Sequence, residues 1–375
     1  MSSSSRATDG TDALRRALLA FWDAGHRALP WRATRDPWAI LVSEIMLQQT
    51  TVAAAIPYWE RFLRRWPRPA DLARATRHEL LSEWAGLGYY RRAGFLHEAA
   101  CRVAEGGGAL PATHDELLAL PGVGRYTAAA VASIAYGEPV AAIDGNVERV
   151  LCRLFALGGD PRSAATAGNL RAHASALLDR RRPGDWNQAL MELGATVCRP
   201  VAPACPSCPW RGSCAARAAG EVERYPELRK RASPVPVLRA ALVASRGGRV
   251  LLARRASAPN EGFLELPFVE APAGAAWIGG PREERKLSEL LVAGLADAHG
   301  LALRIGPALP ALRHSITHHR IRVQPFIALA VTGRARQPLL WMAPGAPDTP
   351  LTTASRRILV AAQPALLATA PEHFP

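Results

Sequence analysis

The stretch from Cys198 to Cys214 reads CRPVAPACPSCPWRGSC and holds four of the six cysteines in the chain. Their spacing is C-x6-C-x2-C-x5-C, in a proline-rich segment that follows a helical pattern. Four thiolates in such a loop can hold either a tetrahedral zinc ion or an iron–sulfur cluster, and the spacing does not choose between them. In a chain without secretory character, clustered cysteines indicate metal ligands rather than disulfides. The predicted ligands are Cys198, Cys205, Cys208 and Cys214.

Length and charge narrow the class of protein. The chain has 375 residues, which suggests two domains that each bury a core. The start, MSSSSRATDG, lacks the apolar region of a secretory signal, and no apolar run reaches the roughly 20 residues of a membrane span. We therefore expect a cytoplasmic protein. The net charge of +14 favours a polyanionic partner, although an arginine-rich genome would give a similar excess.

The spacing of apolar residues changes once along the chain. Up to about residue 220 the apolar residues recur at helical spacing, and Thr113 with Glu116 forms a predicted capping box. Residues 221–236 are charged and proline-bearing, as in a linker. Beyond them, LRAALVASRGGRVLLARR predicts a β-hairpin, RIRVQPFIALAV a strand, and KLSELLVAGLADAHG a helix that stops at its glycine. The sequence thus predicts an all-α domain followed by a smaller α/β domain.

A glycine hairpin lies between two helical stretches, in LPGVGRYTAAAV from Leu120 to Val131. Gly122 and Gly124 flank Val123, and glycines allow backbone N–H groups to approach an anion closely. The next helix begins at the hairpin, so its positive end adds to the attraction. This geometry suits one DNA phosphate. The alternative is an ordinary turn between two helices.

Two carboxylates are candidates for acid–base chemistry. Glu44 lies in an apolar helical stretch, and burial raises the pKa of a carboxylic acid, which suits a general acid at neutral pH. Asp144 directly precedes a helix, where a carboxylate that faces a cleft can stabilise a positively charged sugar. The alternatives are a salt-bridged glutamate within a helix and a simple helix N-cap.

Taken together, these motifs resemble those of the MutY branch of helix-hairpin-helix DNA glycosylases. The cysteine loop, LPGVG and SEIMLQQT carry the resemblance. It implies a 4Fe–4S cluster as cofactor, Glu44 as the acid that protonates adenine, and Asp144 as the group that stabilises the oxocarbenium ion. Where the related endonuclease III has a nucleophilic lysine, this chain has Tyr126. Its only lysines are Lys230 and Lys286, so the helical domain has no donor for imine chemistry and a monofunctional enzyme is predicted.

The same resemblance assigns further residues to the site. LPWRATRDPW implies Trp31 and Arg32 near the flipped base, and WNQALMELGATVC implies that Glu192 contacts the adenine. GLGYYRRAGFLHEAA implies that Tyr89 intercalates into DNA. The remaining residues assigned to the catalytic group or to DNA contacts are Asn146, Gln48, Gln49, Gly122, Val123 and Gly124.

The second domain resembles a Nudix fold that has lost its catalytic metal site. KLSELLVAGLADAHGL offers only Glu289 and Asp297, too few acids for a magnesium box. The resemblance implies recognition of 8-oxoguanine by Thr317 and His318, in LRHSITHHRIRV. In this slot Ile316 replaces the family's aromatic residue. The expected boundaries are 10–220 for the glycosylase domain, 221–236 for the linker and 237–368 for the Nudix-like domain.

The prediction is therefore a monomeric adenine DNA glycosylase that acts on duplex DNA with adenine opposite 8-oxoguanine or guanine, and not on a membrane. A bifunctional pyrimidine glycosylase is the nearest rival enzyme, and Glu44 with the missing lysine argues against it. A non-enzymatic iron–sulfur protein that binds DNA or senses redox state is the rival from another class. The pair of Glu44 and Asp144 argues against a pure binding protein.

Overall fold

The structure is a computed structural model. It describes residues 3–229, 233–256, 262–272, 274–275, 279–316, 318–334, 337–343 and 351–368. The chain divides into two compact units, the first of Met1–Ala75 with Arg92–Lys230 and the second of Thr76–Arg91 with Arg231–Pro375. None of the described helices is long and apolar enough to cross a membrane.

The first unit is built of helices, as the spacing of its apolar residues predicts. The twelve helices that precede the strands are α1 Ser3–Ala24, α2 Pro37–Leu47, α3 Val52–Arg65, α4 Pro69–Ala73, α5 Arg77–Trp84, α6 Arg91–Glu105, α7 His114–Leu118, α8 Arg125–Tyr136, α9 Gly145–Leu154, α10 Ala164–Leu177, α11 Pro183–Thr196 and α12 Ala215–Ala218. Of these, α5 falls in the second unit. The predicted capping box is confirmed, because Thr113 and Glu116 exchange side-chain and backbone hydrogen bonds at the start of α7.

Two helices form the buried centre of the first unit. Every residue of α2 from Trp38 to Met46 is buried, and α8 is buried from Thr127 to Ile134. A second core joins α1, α9, α10 and α11 around Trp186. Because α2 lies against α8, and α11 against both α8 and α9, these four helices surround one region of the unit.

One predicted helical stretch is interrupted. Apolar spacing continues from Ala39 to Trp66, but α2 ends at Leu47 and α3 starts at Val52. Gln49, in the gap, has a left-handed backbone with φ of 60°. Gln49 therefore lies outside α2 and does not continue the helix that carries Glu44.

The described residues of the second unit form two sheets and two further helices. Its strands are β1 Val235–Val243, β2 Ser245–Arg246, β3 Arg249–Arg254, β4 Leu264–Glu265, β5 Phe268–Glu270, β6 Ala302–Ala308, β7 Leu312–Ile316, β8 His319–Thr332 and β9 Leu339–Met342. One sheet has the order β5-β1-β8-β6 with β7 also paired to β8, and the other has the order β2-β3-β4 with β9 paired to β3. The helices are α13 Pro281–His299 and α14 Thr353–Ala368.

Alternation along β1 explains why helices pack against it on both faces. Ala241 and Val243 join a core that includes Ile358 of α14, whereas Ala240 and Leu242 join a core with three leucines of α13. The side chains of a strand alternate between its two faces, so the apolar run Ala240–Val243 is covered on both.

The predicted strand, helix and Gly-Gly turn are present in this unit, but the predicted hairpin is only partly right. The apolar run before the turn forms β1, which pairs with β5 and β8 in the other sheet, and only the short β2 pairs with β3 across the turn. Gly247 and Gly248 both have positive φ and join β2 to β3 in a tight hairpin. α13 ends at Gly300, which takes the left-handed conformation. The fold class, an all-α unit followed by an α/β unit, is as the sequence predicts.

Candidate active site

A cavity of about 490 Å³ lies within the first unit and collects most of the predicted catalytic residues. Its lining includes Glu44 from α2, Tyr126 from α8, and Asp144 with Asn146 at the start of α9. Trp31 and Arg32, from the short 3-10 turn Pro30–Arg32, also line it. Residues from four separate stretches of the sequence therefore meet at one cleft.

Glu44 is 6% exposed and lies about one turn before the end of α2, a helix that is buried from Trp38 to Met46. Burial raises the pKa of its carboxyl group, and the nearby Asp144 raises it further. The charge of Arg32 acts in the opposite direction, as does the Tyr126 hydroxyl in the orientation in which it donates a hydrogen bond to Glu44. The net result is a pKa of about 7, so Glu44 is largely protonated below neutral pH and can give up that proton near it.

Asp144 is the N-cap of α9 and also faces the cavity. Its Oδ1 accepts a hydrogen bond from the Val147 amide at 2.8 Å, and its Oδ2 accepts one from the Asn146 side chain at 2.7 Å. Burial raises the pKa of Asp144, and these hydrogen bonds oppose the effect. The simple capping role and a role in the cleft are therefore compatible, because the carboxylate that caps α9 also lines the cavity.

Asn146 is fixed in turn by its neighbours. Arg149 donates to the Asn146 Oδ1 at 2.9 Å, to the Gly194 carbonyl at 2.8 Å and to the Cys198 carbonyl at 2.8 Å. A Cβ at Gly194 would stand 2.6 Å from the Cβ of Asn146, so only glycine allows α11 to approach so closely. Sequence reasoning missed Arg149, since nothing in its local pattern signals these contacts.

Glu192 lies beside the cavity rather than among its lining residues in the described structure. Its side chain is almost fully buried and forms ion pairs with Arg27 at 2.7 Å and Arg32 at 2.8 Å. Burial alone would raise the pKa of Glu192, but the two arginines outweigh it and hold the pKa at about 2. Arg32 also stacks over the ring of Trp22. Arg27, which sequence reasoning missed, lines the cavity and is the more exposed of the two cations.

The break between α2 and α3 is held by Arg92, a second residue that sequence reasoning missed. Arg92 is buried, and its guanidinium donates to the carbonyls of Ile45 and Met46, each at 2.8 Å, and to that of Gln48. These carbonyls end α2, where a cation is favourable. The Gln48 side chain reaches Thr127 of α8, and Gln49 lines the cavity.

The glycine hairpin has the geometry that the sequence predicts. Gly122 has φ of 73°, and a Cβ there would lie 2.4 Å from the Cβ of Phe95. Val123 is buried beneath the turn. Gly124 is the N-cap of α8, makes no side-chain capping bond, and faces open space where a Cβ would meet nothing within 4 Å. The first amides of α8 are thus accessible to an anion.

Tyr89, the predicted intercalating residue, belongs to the segment Thr76–Arg91 of the second unit. It is 52% exposed, and its backbone has a left-handed φ of 49°. A large aromatic side chain in this conformation is uncommon, and such backbone conformations cluster at functional sites.

The four clustered cysteines line one small cavity of about 30 Å³. Arg153 donates to the carbonyls of Arg199 and Pro200 and to the sulfur of Cys198, and so holds the loop against α9. Among the described residues, no three Cys, His, Asp or Glu side chains are placed to hold one metal ion. The sulfurs instead surround a space.

The predicted 8-oxoguanine loop joins β7 to β8 in the second unit. Thr317 lies outside the described residues. His318 is exposed, its ring lies 4.0 Å from that of His319, and its carbonyl accepts a hydrogen bond from Val235 at the start of β1. The structure therefore presents His318 at the tip of a hairpin.

Residues 42–173 match the HhH-GPD superfamily of base excision DNA repair proteins. The human adenine DNA glycosylase is 48% identical over 222 residues, which are 56% of this chain and 41% of that protein. The adenine DNA glycosylase of Mycolicibacterium smegmatis is 37% identical over 290 residues, 75% of this chain and 91% of that protein. The chain thus spans well under half the length of the human relative and most of the mycobacterial one.

Among solved structures, a thermostable thymine-DNA glycosylase superposes with a TM-score of 0.53 and 30% identity, over 57% of this chain and 99% of that one.

Proposed function

We propose that this chain, which belongs to the adenine DNA glycosylase family, removes adenine from duplex DNA where it is mispaired with 8-oxoguanine or guanine. The observation that carries the proposal is the pair of carboxyl groups, buried Glu44 and half-buried Asp144, on one cavity. The target base would leave the duplex and enter this cavity, as glycosylases require. The cavity is of ordinary size for a small ligand.

Glu44 is the general acid in this proposal. Its pKa of about 7 keeps a proton available at neutral pH, and protonation of adenine at N7 makes the base a better leaving group. Asp144 keeps its charge more readily because Val147 and Asn146 donate hydrogen bonds to it. An anion there stabilises the oxocarbenium ion as the glycosidic bond breaks, and water completes the hydrolysis.

The base is bound by the wall of the cavity that Trp31 and Arg32 form. Trp31 supplies an aromatic surface for stacking. Glu192 acts here through the two arginines, because its carboxylate holds Arg32 and Arg27 in place. Direct contact between Glu192 and adenine would require one of these ion pairs to open.

Several segments of the chain bind the DNA in this proposal. The amides at Gly122, Val123 and Gly124 bind one phosphate, and Gln48 and Gln49, which line the cavity, contact the DNA. Tyr89 intercalates at the lesion. The excess of arginine supports binding to the backbone, independently of its sequence.

A monofunctional reaction follows from the residue types in the cleft. Tyr126 occupies the position after the hairpin, and no lysine precedes residue 230. Residues 1–229 therefore offer no lysine amine for a Schiff base, and the product is an abasic site in an intact strand.

The cysteine loop holds a 4Fe–4S cluster in this proposal, with Cys198, Cys205, Cys208 and Cys214 as ligands. Four cysteine side chains line one cavity, and cysteine thiolates are the ligands of iron–sulfur clusters. When bound, the cluster supplies folding energy to a loop that has little regular structure.

The second unit reads the base opposite adenine through Thr317 and His318, of which the described residue His318 directly precedes β8. We place the enzyme, as a monomer, in the cytoplasm with the chromosomal DNA. The proposed domain limits are 10–220 and 237–368. Residues 225–229 nevertheless pack on the helical unit, since the Arg229 amide donates to Asp160 and Glu227 accepts from the Gly159 amide.

The test is release of free adenine from a duplex with one A:8-oxoguanine pair, followed by chromatography under single-turnover conditions. Glu44→Gln should abolish release while duplex binding survives, because the amide has no proton to give. Glu60→Gln, an exposed site on the adjacent helix α3, is the matched control and should behave as the native chain. Absence of adenine release by the native protein, or normal turnover by Glu44→Gln, contradicts the proposal.

A further inference from the structure

The Tyr126 hydroxyl points to an acceptor that the catalytic scheme does not use. It donates a hydrogen bond to the thioether sulfur of Met191, with an O–S distance of 3.1 Å. Met191 lies on α11, one residue before Glu192, and lines the same cavity as Glu44 and Tyr126. A thioether is a weak hydrogen-bond acceptor, and this one lines the same cavity as the buried acid Glu44.

The same hydroxyl is close enough to Glu44 to act on its ionisation. A hydroxyl has one hydrogen, so Tyr126 cannot donate to Met191 and to Glu44 at the same time. If the hydrogen points to Glu44, it stabilises the carboxylate and favours loss of the proton. If it points to Met191, the oxygen lone pairs are left for Glu44, and they favour the protonated acid as a donor.

We propose that Met191 is a positioning residue that draws the Tyr126 hydrogen away from Glu44, so that Glu44 keeps its own proton for the departing base. The inference rests on the proposed function for its consequence but not for its geometry. Met191 contacts no reacting atom in this scheme and acts only through the hydroxyl.

Three other charged or titratable groups face Glu44 and must stay constant in the test. They are Tyr126 on α8, Asp144 before α9, and Arg32 in the 3-10 turn. Met191 carries no charge, so its replacement by another apolar residue does not directly change the charge of any of these three groups. A change at Met191 should therefore reach Glu44 only through the orientation of Tyr126.

The experiment compares single-turnover adenine release by the native chain, Met191→Leu and Met191→Gln from about pH 5.5 to about pH 8.5. Leucine has a similar volume and no acceptor, so the hydroxyl turns to Glu44 and lowers its pKa. For a shift of about one pH unit, the rate at about pH 8 falls about tenfold, and at about pH 5.5 less than about twofold. Glutamine restores an acceptor and should keep the native profile.

The control is the same pair of side chains in a Tyr126→Phe background. Without the hydroxyl, Met191 and Met191→Leu should give one pH profile. A ¹³C-carboxyl titration of Glu44 in the DNA-free protein, assigned with Glu44→Gln, measures the shift without catalysis. If Met191→Leu does not fold, Met191→Ile takes its place.

The outcomes separate the two proposals. A native pH profile in Met191→Leu, or a shift that persists in the Tyr126→Phe background, overturns the role of Met191. If the native protein releases no adenine, the proposed function fails, while the carboxyl titration still decides whether Met191 controls the hydroxyl.

Discussion

Alanine at Gly122 and alanine at Gly124 place the same methyl group two residues apart in the hairpin, in opposite surroundings. At Gly122 the backbone has φ of 73°, and the new Cβ would stand 2.4 Å from the Cβ and 2.9 Å from the Cγ of Phe95. The left-handed conformation costs a non-glycine residue about 1–2 kcal/mol, and forcing atoms into occupied space costs about 1–3 kcal/mol more. We expect Gly122→Ala to lower the free energy of unfolding by about 3 kcal/mol.

Gly124→Ala is the matched control for stability. Its φ is −90°, and a Cβ meets nothing within 4 Å. Neither glycine nor alanine offers a capping side chain, so the free energy of unfolding should change by about 1 kcal/mol or less. The methyl group would instead stand in the open space before α8, where we place the DNA phosphate. Gly124→Ala should therefore weaken duplex binding several-fold with little loss of stability.

Denaturant unfolding followed by circular dichroism measures the first effect, and fluorescence anisotropy with an undamaged duplex measures the second. Gly122→Ala should be the less stable variant, and Gly124→Ala should be the weaker DNA binder. Equal destabilisation by both alanines would refute the packing argument at Phe95. Unchanged DNA affinity in Gly124→Ala would remove the hairpin amides from the DNA interface.

Three further predictions concern other parts of the chain. Cys205→Ser should lose most of the iron, with poor solubility or weak DNA binding, and the native chain should hold about four iron atoms; one zinc and no iron per native chain would overturn the cluster. Borohydride should trap little covalent DNA adduct, and strand cleavage should need added base or heat; an efficient trap would reveal an amine that the helical unit lacks. Thr317→Ala with His318→Ala, or removal of residues 230–375, should lower the preference for A:8-oxoguanine over A:G by about tenfold to a hundredfold, since such polar contacts contribute about 1–3 kcal/mol; full preference in these variants would mean that another part of the chain reads the damaged base.

Local chemistry made much of the fold predictable. The Thr113 capping box, the Gly247-Gly248 turn and the stop at Gly300 each depend on a few neighbouring residues, and all three are present as predicted. The apolar spacing that predicts α2 also continues into α3, however, so the sequence gives no sign of the break between them. That break depends on Arg92, which lies more than forty residues away and takes up the carbonyls at the end of α2.

In the candidate site too, residues that belong to short local motifs were predictable, and residues that act through distant contacts were not. Glu44, Asp144 and the hairpin glycines belong to short motifs, and the structure brings them to the cleft and the adjoining hairpin. Arg27, Arg149 and Met191 were missed because each makes its contact far along the chain, with Glu192, Cys198 and Tyr126 respectively. An arginine or methionine in an amphipathic helix looks the same whether it faces solvent or a catalytic group.

The carboxylate of Asp144 has consequences for how variants at this position will behave in a population or a library. Because Oδ1 caps α9, replacement by Asn, Ser or Thr retains an acceptor for the Val147 amide, whereas Ala loses it at a cost of about 1 kcal/mol. A screen that counts folded protein in cells would accept the first three residues and disfavour alanine. A screen that counts mutations in the genome would reject all four, since none carries the negative charge. If variants at position 144 keep their protein abundance but raise the mutation rate, then one side chain is selected both for capping α9 and for its negative charge.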